Sequence, residues 1–264
     1  MRISMIAIVV LSTFVFSFGQ SMKVHTKGST TPATYSLGAI DSITFELQSP
    51  TPTNGLVAYY PFAGNAADSS GNSNNGTITG SAVLTADRFG NANSSYQFGT
   101  TGNINCGNPT ILQTASMSAA FWIKYTDALP GIANMTILCK STKGSDGYNV
   151  CLTGNVILAE FSHSGIWDNF GGHSIPNPPI EVNKWYFFAI SYDSASQTAT
   201  EYFNNQKLGS FVFQMAPPTS HALTFGTGYI AHYPGILDDV RIYNRALSDQ
   251  EFLSLYGEKG WTGN

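Results

Sequence analysis

The stretch Gly235 to Tyr256, GILDDVRIYNRALSDQEFLSLY, decides how this chain is read. Ile236, Asp238, Val240 and Ile242 alternate with Leu237, Asp239, Arg241 and Tyr243, the two-residue period of a β-strand. Ser248 stands three residues before Glu251, the spacing of a capping box, so a short helix is expected over 249–256, ended by Gly257. Strict alternation puts Asp238 on one face with three aliphatic residues. A carboxylate there needs a cation, a metal or several N–H donors, because an unpaired buried charge is too costly. Asp239 falls on the opposite face, where solvation is expected.

Working outward, the strand pattern repeats. Gly55–Phe62, Met135–Cys139, Tyr148–Leu152 and Val156–Phe161 read as strands. In Ser118–Tyr125, Ala119, Phe121 and Ile123 share one face, with Trp122 and Lys124 on the other. Trp185–Tyr192 is nearly continuous in apolar character, which suits a strand buried on both faces. Ala199–Phe203 and Lys207–Phe213 flank Asn204-Asn205 as a hairpin. Many strands with one late helix and no βαβ alternation indicate an all-β, two-sheet antiparallel sandwich. The aromatics Trp122, Trp185, Phe187, Phe188 and Tyr202 are expected between the sheets, and Trp261 over an exposed edge.

Charged residues make up only 11% of the chain and aromatics 13%, a balance suited to an extracellular β protein. The formal net charge is −4 with no basic run, which argues against a nucleic-acid partner. Arg2, the apolar run to Phe16, and small Ser17 and Gly19 predict a signal peptide over 1–19 and hence secretion. No later segment is long enough to span a membrane. Residues 20–48 read as a small β unit, 49–54 as a Pro-Thr linker, and 55–264 as the main domain. Three cysteines remain open to two readings. Cys139 and Cys151 flank a turn and could be bridged across a hairpin, or they and Cys106 are buried thiols.

Five segments in order then resemble one family. They are GLVAYYPFAGNAADSSGNSNNGTITG (55–80), DRFGNANSSYQFG (87–99), NKWYFFAISYD (183–193), EYFNNQKLGS (201–210) and the opening stretch. Together they resemble the laminin-G-like, concanavalin A-like lectin/glucanase superfamily over about residues 54–264. The resemblance implies a jelly-roll sandwich whose first and last strands lie near each other in one sheet. Residues 22–47 resemble, more weakly, an N-terminal segment of secreted Bacteroides-type proteins.

The loop 64–76 is rich in oxygen donors, and calcium takes six to eight oxygens. With the loop brought near the closing strand, the resemblance implies a structural calcium site. Asn65, Asp68, Asn75 and Asp238 are the candidate ligands. The alternative is an Asx-turn at Asp68 and N–H donors to Asp238, with no metal.

Retaining glycosidases need two carboxyl groups about 5–5.5 Å apart, which alternate positions of a strand deliver. Glu46, Glu160, Glu181, Glu201, Glu251 and Glu258 are too far apart for the E-x-D-x-E strand of the glucanase branch. Non-catalytic binding of a glycan or cell-surface partner is therefore expected. A glycoside hydrolase or lyase is the rival, and a structural module of a surface assembly the third reading. Residues 161–179 read as a long loop carrying His163, Trp167, Asp168, Asn169, Phe170 and His173. An aromatic plate with amide and carboxylate acceptors suits a sugar. Trp167 is the expected plate, with Asp168, Asn169 and His173 orienting hydroxyls. Tyr229, His232 and Tyr233 form a second, weaker candidate.

Overall fold

A computed structural model describes residues 21–24, 31, 33–36, 50–127, 134–142, 145–173, 175–228 and 230–261. The chain separates into two compact units, Met1–Leu47 and Gln48–Asn264. In the first, β1 (Ser21–Val24) pairs antiparallel with β2 (Ala33–Ser36). The leader expected at 1–19 and the strand expected at 43–47 lie outside the described residues.

The second unit opens with β3 (Leu56–Tyr60), β4 (Thr77–Thr79), β5 (Val83–Thr85), β6 (Ser95–Gln97), β7 (Asn103–Asn105) and β8 (Met117–Lys124). The middle strands are β9 (Asn134–Thr142), β10 (Asp146–Thr153), β11 (Val156–His163), β12 (Ile166–Asn169), β13 (Trp185–Asp193) and β14 (Thr198–Phe203). The last are β15 (Gln206–Val212), β16 (Thr224–Phe225), β17 (Ala231–His232) and β18 (Ile236–Tyr243), followed by helix α1 (Asp249–Tyr256). They form two eight-stranded sheets. One runs β12-β11-β10-β9-β16-β7-β4, with β17 pairing β9. The other runs β15-β14-β13-β8-β18-β6-β5, with β3 pairing β18. The first and last strands of the unit are thus neighbours, with Val240 opposite Tyr60. The Pro-Thr stretch read as a linker is held against this unit, where Tyr243 donates to the Pro52 carbonyl at 3.0 Å.

Two apolar layers hold the unit together. Ala119, Phe121, Ile123, Phe188 and Ile190 enter the core between the sheets. Trp122, Trp185, Phe187 and Tyr202 do not, contrary to the sequence expectation. They lie on the outer face of β8, β13 and β14, under Leu247, Phe252 and Leu255. Strand alternation sends each second residue outward, and α1 makes that face a second core. The helix begins as its sequence dictates: the Ser248 side chain accepts from the Glu251 N–H, and Glu251 accepts from the Ser248 N–H.

The closing strand departs from strict alternation. The β18–β8 register shifts between Asp238 and Arg241, and Asp239 has φ 48°. This β-bulge sets two residues against one. Ile236 stays on the outer face, whereas Val240 and Ile242 enter the inter-sheet core. Asp238 therefore does not share a face with Val240 and Ile242.

Candidate functional site

The segment read as a long loop is a hairpin followed by a 3-10 turn. Strands β11 and β12 are joined by Ser164 and Gly165, with φ 45° and 91°. Positive φ at both central residues is what a tight type I′ turn requires. The Ser-Gly pair was the available signal, since that dipeptide punctuates strands. Strand β12 is the edge of its sheet. It carries Trp167, 44% exposed, beside Ile166, 61% exposed.

The structure brings together part of the predicted cluster. Asp168 Oδ2 meets His173 Nε2 at 2.7 Å, and Asp168 Oδ1 accepts from the Asn169 N–H at 2.8 Å. Asn169 Oδ1 accepts from the Gly172 N–H at 3.0 Å, which holds the 3-10 turn Phe170–His173 against the strand. The His173 ring stacks on Phe211 with centroids 4.1 Å apart. Trp167 is opposite Ser162 and Asn169 opposite Glu160, so these two share a face of the ribbon. Asp168 alternates to the other face. His163 pairs with Ile166 at the turn, and its Nδ1 is buried with no hydrogen-bond partner among the described residues. The ribbon thus offers an indole and an amide on one face, and a carboxylate–imidazole pair on the other.

In the second candidate, Tyr229 lies outside the described residues. Tyr233 is a core residue that donates to the Lys124 carbonyl at 3.1 Å. His232 belongs to the short strand β17.

The residues proposed as calcium ligands have other partners. Asp68 Oδ1 accepts from the N–H groups of Tyr59 and Ser70, at 2.9 and 2.8 Å. Its Oδ2 accepts from the Asn74 N–H and the Ser70 hydroxyl, both at 2.9 Å. Asn65 and Asn75 accept backbone N–H bonds from Ala67 and Asp68. Asn72 and Asn74 donate to carbonyls of β3, and the Ser70 hydroxyl lies between Asp68 Oδ2 and the Val57 carbonyl. Side chains 68, 70, 72 and 74 thus form a comb along the outward edge of β3. Asp238 meets Arg88 instead, at 2.5 Å. This donor set does not fit a cation shared by Asp68 and Asp238, because N–H and O–H groups fill the acceptor positions a metal would take. Among the described residues no group of three His, Cys, Asp or Glu is placed to hold a metal.

Asp239 is buried rather than solvated, because the bulge turns it to the same side as Asp238. Arg88 Nη1 reaches Asp239 at 2.7 Å, and the guanidinium lies 4.6 Å from the ring centroids of both Phe89 and Trp122. The Tyr59 hydroxyl donates to Asp239 at 2.7 Å, and Lys259 stands 3.1 Å away. Burial and the neighbouring Asp239 push Asp238 up to about 7. Burial also works against the Asp239 charge, but Arg241, Arg88 and Lys259 hold its carboxyl down at about 2. Trp261 covers the cluster, edge-on to Trp122 and Phe89 at 5.0 and 5.8 Å, rather than covering a sheet edge. The two carboxylates are closed to solvent and tied to a cation, so they do not form an open hydrolytic pair. The sequence reading missed Arg88 as their partner, although it sits in the quoted segment 87–99.

Glu201 was also passed over. It lies on β14 between Ala199 and Phe203, which point into the inter-sheet core. It is fully buried, with neither carboxylate oxygen hydrogen-bonded among the described residues. Burial raises its pKa well above the usual carboxylate value. The Ala159 backbone acts in the opposite direction. Cys106, Cys139 and Cys151 are buried, and no disulfide links them among the described residues. Cys139 is opposite Asn149 and Cys151 opposite Thr136, so the bridged reading is not the one the register favours.

Two eight-stranded sheets packed over one core, with a closing helix, define an all-β sandwich. The Laminin_G_3 family, described as the concanavalin A-like lectin/glucanases superfamily, matches residues 98–252. That is more than half of the chain, and the chain belongs to this superfamily. No curated protein matches it. Among solved structures it is similar to the binding domain of botulinum neurotoxin DC in complex with SialylT. The TM-score is 0.60 at 16% identity, covering 78% of this chain and 52% of that one. The binding domain of Paraclostridial Mosquitocidal Protein 1 gives a TM-score of 0.65 at 15% identity over the same shares. The chain therefore spans about half the length of these neighbours. Domain 4 of AbnA, a GH43 extracellular arabinanase from Geobacillus stearothermophilus, in complex with arabinotriose, gives 0.60 at 18% identity. There 76% of this chain and 98% of that one are covered. At these identities the likeness establishes the fold. No helix among the described residues is long and apolar enough to cross a membrane.

Proposed function

We propose that this chain is a secreted, non-catalytic module that binds a glycan, free or on a cell-surface partner, through the β11–β12 ribbon. The observation that carries the reading is Trp167, a large aromatic left 44% exposed on an edge strand, with the Asn169 amide on the same face. An indole face packs on the C–H surface of a sugar while a neighbouring amide bonds its hydroxyls. Asp168 and His173 hold the turn in place and offer a polar rim on the other side. The neurotoxin and arabinanase domains, solved with SialylT and arabinotriose respectively, support a sugar as ligand for this scaffold.

A glycan array probed with the mature chain, with and without calcium, tests this. Binding that disappears in Trp167→Ala supports the proposal. Release of reducing sugar from polysaccharide would replace it with hydrolysis. Neither behaviour would leave a structural role.

A further inference from the structure

A second polar surface lies at the other end of the sheet that carries the ribbon. Strands β4 and β7 pair with Thr77 opposite Asn105 and Thr79 opposite Asn103. Between them Ile78 faces Ile104, which is buried in the inter-sheet core. The two threonines and two asparagines therefore stand together on the outer face. Paired residues across such strands lie about 4.5–5.5 Å apart and alternate residues about 7 Å apart, so the four make a small grid. They line an open cleft of about 530 Å3, together with Asn75 and Gly107. That volume is within the range of sites for small ligands, about 300–1,000 Å3.

The chemistry of the lining selects the ligand. The side chains of Thr77, Thr79 and Asn103 make no hydrogen bond among the described residues. Asn105 and Asn75 have their carbonyl oxygens engaged by the N–H groups of Gly107 and Asp68, which orients both amides. Each hydroxyl and each amide can donate as well as accept, the match a sugar hydroxyl requires. No charged residue is among those lining the cleft. A carboxylate, sulfate or phosphate would find no counter-charge, and a cation no carboxylate.

We propose that this cleft is a second binding site, specific for uncharged sugar residues, at the opposite margin of the sheet from Trp167. It extends the glycan-binding reading to a new place but uses none of the same residues, so the two stand or fall separately. Without an aromatic platform in its lining, the cleft discriminates by the position of hydroxyls.

The test is a titration of the 15N-labelled mature chain, followed by amide shifts. The neutral probes are arabinotriose, xylotriose, laminaritriose, mannotriose and β1,4-galactotriose, and the acidic probes are trigalacturonate and sialyllactose. At least one neutral trisaccharide is expected to move the amides of residues 77–79 and 103–107, while the acidic probes leave them in place. Asn103→Ala should weaken that binding at least tenfold. The near-isosteric Thr77→Val and Thr79→Val should weaken it several-fold with unchanged melting temperature. Trp167→Ala should leave these shifts intact. Still amides with every neutral probe, equal response to acidic probes, or full binding in Asn103→Ala would overturn the proposal. If the cleft responds while Trp167→Ala binds glycans normally, the ribbon reading fails and this one survives.

Discussion

Two tryptophans in this molecule stand beside an aspartate tied to a nitrogen side chain, Arg88 in one case and His173 in the other, and their fates differ. Trp122 is buried under Arg88, Asp238 and Asp239, sealed by Trp261. Trp167 adjoins Asp168 and His173 but remains 44% exposed on an edge strand. The residue types are nearly the same, and what separates the two places is cover. Helix α1 and the segment after it close over the first, where Glu258 pairs with Arg241 and Lys259 with Asp239. The indole of the second keeps nearly half of its surface open to solvent. The buried ion pairs of the first act on stability, whereas the Asp168–His173 contact of the second shapes a surface.

Stripping the cation from the buried pair should give the largest effect. Arg88→Met leaves two carboxylates desolvated, a loss of about 3–5 kcal/mol for a broken buried pair. For a domain of this size that corresponds to a fall in melting temperature of roughly 10 °C or more, read by calorimetry. A melting temperature within a degree or two of wild type would erase the contrast between the two tryptophans.

The Asp68 comb gives the next effect. Asp68→Ala withdraws acceptors from three N–H groups and a hydroxyl, at a cost of about 2 kcal/mol given the partial exposure of the loop. The same melts run with calcium and with chelator should superimpose, because the Asp68 oxygens are already satisfied. A calcium-dependent rise would restore the metal reading.

Glu201 gives an effect of opposite sign. Its folded-state pKa is raised, so the folded chain keeps a proton that the unfolded chain releases above about pH 4.3. Stability from this group is full below that pH and declines as pH rises toward the folded value. Glu201→Met should therefore raise the melting temperature by a few degrees at pH 8 and by less at pH 4. A gain that does not grow with pH would show that Glu201 is compensated in the native state.

Trp167→Ala should be the mildest change to the fold. A side chain this exposed contributes little to packing, so the loss should stay below about 1 kcal/mol. Binding of the glycans held by the ribbon should disappear in the same variant while the amides of the β4–β7 cleft still respond to sugar, checked by pairing a melt with the array.

The sandwich was legible because β8 and the β14–β15 hairpin carry alternating patterns, β13 is a nearly continuous apolar run, and α1 is bounded by its own cap. The bulge at Asp238 and Asp239 was not. Aspartate tolerates positive φ better than most residues, yet nothing local marks which of two adjacent aspartates adopts it. That one residue reversed the reading of Asp239 and moved Asp238 from a metal to Arg88. The second apolar core was missed for a related reason. Alternation tells which residues share a face, and only the return of α1 tells that the outer face is covered. In the candidate site, Asp168, Asn169 and His173 were legible as neighbours. The placing of Trp167 on the other face was not, since it depends on β12 being a paired strand.

The comb over β3 has a consequence for behaviour at high concentration. An open strand edge is a template on which another chain can lay its own strand. Here the Asp68 carboxylate occupies the Tyr59 N–H, and Asn72 and Asn74 occupy the Leu56 and Val57 carbonyls. The oxygen-rich loop is, in colloidal terms, a guard against self-association, and a chain stripped of it would be limited by solubility before it was limited by stability.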